Sequence, residues 1–211
     1  MEGCLDFKVL ELARGFFAFK TLSVSQFDKA LSQHFHYFDN DLILPSFLDN
    51  HDMNRFLQIA GEDKRRLKLA SLCQFTLPYP PILYYGTEVG VSQRATVGRL
   101  EESRVPQLWG EKQDRELLEF YRALIRFRRE NSRLWRGERR TFLIDDDREM
   151  YGYSIGGYKV ILNNSDRSRS ISLPRGEIVL SSDRDNQWQG ERELPLAPFS
   201  GAIARLNGES G

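Results

Sequence analysis

Between Phe47 and Phe56 the chain reads Phe-Leu-Asp-Asn-His-Asp-Met-Asn-Arg-Phe, an apolar run that stops abruptly on residues able to ionise or hydrogen-bond. Asp49 and Asp52 bring carboxylates, His51 an imidazole, Asn50 an amide and Arg55 a permanent cation. Just upstream, Leu42 to Leu48 is the short, mostly apolar run that a buried parallel strand uses. The polar groups therefore fall where that strand emerges. In α/β barrels the carboxyl ends of the strands and the loops after them form the active face, so the amide of Asn50, the imidazole of His51 and the carboxylate of Asp52 are candidate substrate contacts. The bland alternative is a turn or helix cap, since Asn and Asp favour both.

The elements around this stretch position it. Gly3 to Phe7 reads as a short strand running into an apolar helical segment from Val9 to Phe19. Phe27, Leu31 and Phe35 recur every four residues, which predicts a helix from Ser23 to Phe38 capped by Ser23 or Ser25. His34 and His36 stand two apart on it and point in different directions, a poor arrangement for a shared metal. Asp63 offers an N-cap for a helix from Lys64 to about Thr76, which Pro78, Pro80 and Pro81 terminate. Ile82 to Tyr85 then reads as a second strand, closed by Gly86-Thr87-Glu88-Val89-Gly90. Strand, helix and strand in this order form a βαβ unit with a right-handed crossover. Glu88 is expected to pair with a nearby Arg and order its loop. Residues 91–112 carry no period and form a long loop, where Trp109 could stack on a ligand ring or anchor the loop in the core. Leu117, Phe120, Tyr121, Leu124 and Phe127 then mark an amphipathic helix from Asp114 to about Asn131.

Two of these stretches carry a family resemblance. Phe-Leu-Asp-Asn-His-Asp, with Arg55 three residues after the second Asp, resembles the seventh-strand motif of the α-amylase family of retaining glycoside hydrolases. Ile-Leu-Tyr-Tyr-Gly-Thr-Glu-Val-Gly at 82–90 looks like that family's eighth-strand segment, at a fitting distance. By the same resemblance Gly3 to Phe19 looks like the sixth strand and its helix, and Glu130 to Gly137 like the close of the eighth helix.

Beyond Gly137 short strand candidates recur at 140–144, 150–155, 158–163, 170–173, 177–180, 193–196 and 202–206, separated by turn residues. Gly156-Gly157 is a two-residue hairpin signal. Asp145-Asp146-Asp147 could bind calcium but lacks the glycine and terminal acid of an EF-hand loop, so it reads as a hairpin tip. The expected fold is α/β plus all-β: a partial (β/α)8 barrel holding strands six to eight over residues 1–136, then a small antiparallel β-sandwich over 137–211. The run from Tyr153 to Asn163 resembles the family's carboxy-terminal β domain.

The resemblance implies roles. Asp52 would be the acid that stabilises the distorted sugar in the transition state, His51 and Asn50 substrate contacts beside it, and Arg55 a subsite wall. A retaining glycosidase also needs a nucleophilic carboxylate and an acid about 5–5.5 Å apart. In this family they sit after strands four and five, and neither segment is found here; Met1-Glu2-Gly3 has the wrong order and context. The expected function is a fragment of an α-glucan-acting glycoside hydrolase of carbohydrate metabolism, inactive as an isolated chain. The alternatives are a non-catalytic module binding carbohydrate or a partner protein, and an enzyme with a new acid pair, Asp52 with Glu88 or Asp6. Linkage preference, chain length and the choice among hydrolysis, transglycosylation and isomerisation stay open.

Three barrel strands cannot close on themselves, so two edges and an apolar inner face need a cover. The expected partners are an α-glucan or maltooligosaccharide, and either the missing amino-terminal barrel segment or a second copy. Nucleic acid and anionic lipid are not expected, because 30 basic residues balance 30 acidic ones. No metal ligand set or cofactor is called for, with calcium left open. Cys4 and Cys73 lack metal-ligand spacing and read as buried thiols of a reducing compartment, hence a cytoplasmic expectation. No apolar run approaches the roughly 20 residues of a membrane span, and no leader is visible at the start.

Overall fold

The computed structural model describes residues 3–38, 42–93, 99–131, 134 and 137–207. Its helices start where short polar side chains can satisfy free backbone N–H groups. Asp6 accepts from Val9 N (2.9 Å) at the head of α1 (Phe7–Ala13), which widens into a π-helical turn at Arg14–Ala18. Ser23 and Gln26 form a reciprocal capping box on α2 (Val24–Tyr37). A short α3 (Phe56–Ile59), unforeseen in the sequence, follows the Asn-His-Asp stretch. Asp63 caps α4 (Lys64–Phe75) and Asp114 caps α5 (Arg115–Glu130).

The strands expected at 42–48 and 82–85 are reduced to isolated parallel bridges, Gly3 to Ile43 and Ser46 to Pro81. The segments still run side by side in the order 3–6, 43–46, 80–82. Cys4 and Asp6 donate to the carbonyls of Ile43 and Pro45 (3.1 and 3.0 Å), and Ser46 N donates to Pro80 O. Pro45, Pro80 and Pro81 have no N–H to give, so the ladder cannot lengthen into regular strands.

Among the described residues of the remainder there are seven strands: β1 (Arg140–Asp145), β2 (Met150–Ile155), β3 (Tyr158–Asn163), β4 (Arg169–Ser172), β5 (Gly176–Ser181), β6 (Glu193–Leu196) and β7 (Ser200–Leu206). β1-β2-β3-β7-β5 form one antiparallel sheet, and β4-β6 a second, two-stranded one. The β2–β3 turn falls on Gly156 and Gly157, whose φ values of 55° and 81° need the freedom of glycine. Asp145–Asp147 is a hairpin tip, and Asp146 also reaches the first turn of α2, accepting from Ser25 N (2.8 Å).

Alternation along the large sheet sorts its side chains. Tyr151, Tyr153, Val160, Leu162 and Ile203 join the helices in one core with Phe16, Phe27, Leu67 and Leu124. Met150, Ile161, Ala202 and Ala204 face the other way, onto Leu194 and Leu196 of the small sheet. The large sheet is thus sandwiched, with helices on one side and β4–β6 on the other.

Polar links fix the helices to the sheet. Asp28 of α2 accepts from Thr141 Oγ1 (2.5 Å), Tyr151 OH (2.7 Å) and Arg139 Nη1 (3.0 Å). Burial opposes ionisation of Asp28, but those hydrogen bonds and the Arg139 guanidinium outweigh it and hold the carboxyl below its usual range. Arg128 of α5 donates to the carbonyls of Phe75, Leu77, Pro78 and Tyr79, closing the carboxyl end of α4. Desolvation pulls its guanidinium down to about 10. Cys73 is buried, and burial pushes its thiol up to about 11. Cys4 is exposed, contrary to expectation, because its segment lies at the edge of the parallel ladder.

Candidate functional site

The Asn-His-Asp stretch sits where the middle parallel segment ends. Leu44, Phe47 and Leu48 are buried, and Asp49 marks the last buried turn before the chain surfaces. Asp49 is structural: it accepts from Phe56 N (2.8 Å) at the start of α3 and from Thr87 Oγ1 (3.1 Å). Burial raises its carboxyl above the usual value, against the pull of the Phe56 N–H and the Arg55 charge.

The next residues turn outward. Asn50 Oδ1 accepts from Asp52 N (2.8 Å), a local turn that leaves both His51 and Asp52 exposed. His51 Nε2 lies 3.1 Å from Asp52 Oδ2, and Arg104 Nη2 lies 3.1 Å from Asp52 Oδ1. Arg104 Nε also donates to His51 O (2.9 Å). One carboxylate is therefore flanked by two nitrogen-bearing side chains, while its side chain keeps 63% of its surface open. A flanked, accessible acceptor of this kind suits a polyhydroxylated ligand, whose hydroxyls can donate to the carboxylate and accept from its neighbours.

Arg55 is not at the surface. It is 0% exposed, with Nε donating to Ser103 O (2.8 Å) and Nη1 to Tyr85 O (2.7 Å). Its guanidinium lies over the rings of Tyr84 (4.1 Å) and Tyr85 (4.9 Å), and its backbone N–H donates to Gln93 Oε1 (2.8 Å). The expected wall is instead a buried strut joining the 49–56 turn, the 84–88 turn and the loop through Ser103. That loop includes the 3-10 turn Leu100–Arg104, and Tyr85 OH ties down its next residue through Val105 O (2.8 Å).

The remaining candidates separate. Glu88 accepts from Gln107 Nε2 (2.9 Å), so its partner is an amide where an Arg was expected. Gly86, at φ 85°, makes this turn possible: a Cβ there would sit 2.5 Å from Val91 Cγ2. Asp6 is buried and spent on the α1 cap and on His34 Nε2 (2.9 Å). Trp109 is 73% exposed, which leaves it free to stack and excludes a core anchor. Among the described residues no group of three His, Cys, Asp or Glu could hold a metal ion. The main residue missed in the sequence is Arg104, which lies in an aperiodic loop 52 positions from its carboxylate partner.

Comparison with known proteins gives the family. Residues 5–107 match the family model of the α-amylase catalytic domain. The chain is 39% identical to α-amylase 2 of Dictyoglomus thermophilum over 64% of its length and 25% of that protein. It is 30% identical to neopullulanase 2 of Thermoactinomyces vulgaris over 96% of its length and 36% of that protein. Among solved structures, a cyclomaltodextrinase superposes with a TM-score of 0.79 at 24% identity, covering 96% of this chain and 36% of that one. The α-amylase of H. orenii gives 0.76 at 19% identity, covering 98% and 49%. The chain belongs to the α-amylase family of glycoside hydrolases. It spans about a quarter to a third of the curated relatives named here.

Proposed function

We propose that this chain is part of an α-glucan-acting glycoside hydrolase, that it holds a glucosyl ring with Asp52, His51 and Asn50, and that it does not cleave a glycosidic bond alone. The observation that carries the proposal is the exposed Asp52 carboxylate at the end of a parallel segment, with His51 and Arg104 each 3.1 Å from one of its oxygens. In the transition state of glycoside cleavage the ring carbon gains positive charge, and hydrogen bonds from ring hydroxyls to a carboxylate strengthen as it does. Asp52 is placed to accept such bonds. His51 and Arg104, which hold that carboxylate in the free chain, can give part of their donor capacity to the same hydroxyls.

Residues 1–136 are the part carrying barrel strands six to eight, and 137–211 the carboxy-terminal β domain. The parallel order of segments 3–6, 43–46 and 80–82 supports the first assignment, and the antiparallel sheets support the second. The other acids near the turn do not form a catalytic pair with Asp52. Asp6 and Asp49 are both 3% exposed and engaged by backbone N–H groups, and Glu88 is held by Gln107. Relatives are named neopullulanase, cyclomaltodextrinase and maltogenic α-amylase, which supports a maltooligosaccharide as the ligand. One relative is named an intracellular maltogenic amylase, and among the described residues no helix is long and apolar enough to cross a membrane; we place this chain in the cytoplasm as well.

The test is direct. Incubated with p-nitrophenyl maltoside, the isolated chain is expected to release no nitrophenol above the uncatalysed rate. Release that disappears in an Asp52→Ala variant would overturn the claim of inactivity.

A further inference from the structure

A second concave surface lies between α5 and the end of β5. This groove has a volume of about 980 Å³ and shares no residue with the Asn-His-Asp stretch or with Arg104. Both of its walls belong to this chain. Lys68 of α4 and the stripe Arg115, Glu119 and Ala123 of α5, spaced by four residues, form one; β5 and the turn over 181–187 form the other. The helical wall is fixed where Ser71 Oγ meets Tyr121 OH at 2.6 Å, which ties α4 to α5. Asn186 fixes the opposite one. It is 2% exposed, its Nδ2 donates to Ser181 Oγ (2.9 Å) and its Oδ1 accepts from Ala197 N (2.8 Å). Asp185 N also donates to Asp183 Oδ1 (2.9 Å), so the turn is set before any ligand arrives.

The lining selects a chemistry. Its floor is apolar, with Phe120 and Leu180 each 8% exposed and Ile178 beside them. The rim carries three cations, Lys68, Arg115 and Arg184, and four acids, Glu116, Glu119, Asp183 and Asp185. Lys68 pairs with Glu116 and Arg122 with Glu119, whereas the side chains of Arg115, Arg184 and Asp185 have no hydrogen bond or ion pair among the described residues. A small anion would meet the four carboxylates and a small cation the three basic groups, so neither gains from a net field. An uncharged ligand with many hydroxyls suits both. Its oxygens accept from the two guanidiniums, its O–H groups donate to the carboxylates, and its C–H faces rest on the apolar floor. The volume lies at the upper end of the roughly 300–1,000 Å³ of ligand pockets, which calls for several rings. An extended peptide is a poorer fit, because the β5 ladder shifts register between Ile178 and Leu180 and interrupts the edge that a strand would pair with. We propose that this groove binds an oligosaccharide independently of Asp52. The inference goes beyond the proposed role of Asp52 and does not require that role.

Maltoheptaose titration of the full chain, followed by backbone amide signals, tests this. Signals of residues 115–123 and 181–187 are expected to shift saturably in the wild type and equally in Asp52→Ala. The double variant Arg184→Ala, Asp185→Ala is expected to weaken binding at the groove at least tenfold while leaving the His51 ring signal responsive. Both side chains are exposed, and circular dichroism checks that the variant folds. Ala123→Arg, which fills the groove from an exposed position of α5, is a second block with the same expected effect. Unshifted groove signals in the wild type, or groove affinity unchanged in both variants, overturn the proposal. Larger shifts with inorganic phosphate or spermidine than with maltoheptaose overturn it as well, by assigning the groove to an ion. Loss of the His51 response alone removes the reading of Asp52 and leaves the groove standing.

Discussion

Replacing Arg55 by Met is expected to cost about 3–5 kcal/mol of stability, the range for removing one charged partner from a buried hydrogen-bonded site. The guanidinium is fully buried, and its Nε and Nη1 satisfy the carbonyls of Ser103 and Tyr85. Met fills a similar volume but strands both carbonyls and leaves the buried Asp49 without the nearby Arg55 charge that favours its ionised form. Arg55→Lys should recover only part of the loss, because an ammonium lacks the planar fork that reaches two carbonyls while stacking on Tyr84 and Tyr85. Urea unfolding gives the magnitude. Hydrogen exchange gives the location: in Arg55→Lys the amides of residues 99–105 should exchange at least tenfold faster, whereas those of β2 and β3 should not change. A uniform acceleration would contradict the role of Arg55 as a local strut.

The second large effect is at Asp28, where Asn is expected to cost about 2 kcal/mol at pH 7. Thr141, Tyr151 and Arg139 all donate to Oδ1, which Asn keeps as an amide oxygen, so what is lost is the charge assistance of those hydrogen bonds and the ion pair with Arg139. A value below the ~3–5 kcal/mol of a fully buried broken pair is used because the carboxylate keeps some contact with water. The sign of the pH dependence follows from the lowered carboxyl pKa. A depressed folded-state value means that the contribution is complete above the unfolded value of about 4 and is lost as pH falls through the folded one. Wild type and Asp28→Asn should therefore differ at pH 7 and converge as pH falls through the lowered carboxyl value. Asp49 works in the opposite direction: burial raises its carboxyl, so it opposes folding once ionised, and that penalty fades as pH falls. Unfolding curves of both proteins across this range check the convergence.

Much of the fold was legible in the sequence because its determinants are local. Strands β2, β3 and β6 fall where alternation placed them, Gly156-Gly157 makes the hairpin, and Ser23, Asp63 and Asp114 cap the helices that follow them. The parallel segments were legible in order but not in form. A strand's hydrogen bonds come from its neighbours, and prolines at 45, 80 and 81 remove donors that those neighbours would need. The candidate site divides the same way. Asn50, His51 and Asp52 announce themselves by residue type, and the structure leaves His51 and Asp52 exposed. Arg55, the residue just before α3, differs from them only in the direction its side chain takes, which no spacing records. Arg104 meets Asp52 through a loop with no period, so only the folded chain shows the pair.

The central claim is that Asp52 and its neighbours hold a glucosyl ring. Titrating the full chain with maltotriose, followed by the ¹H–¹⁵N signals of the His51 ring and the Arg104 Nε–H, tests it most directly. The account predicts saturable shifts at both groups and an affinity at least tenfold weaker in Asp52→Asn, about 1.4 kcal/mol or more for a charge-assisted hydrogen bond. Unshifted His51 and Arg104 signals, or equal affinity in the Asn variant, would contradict it.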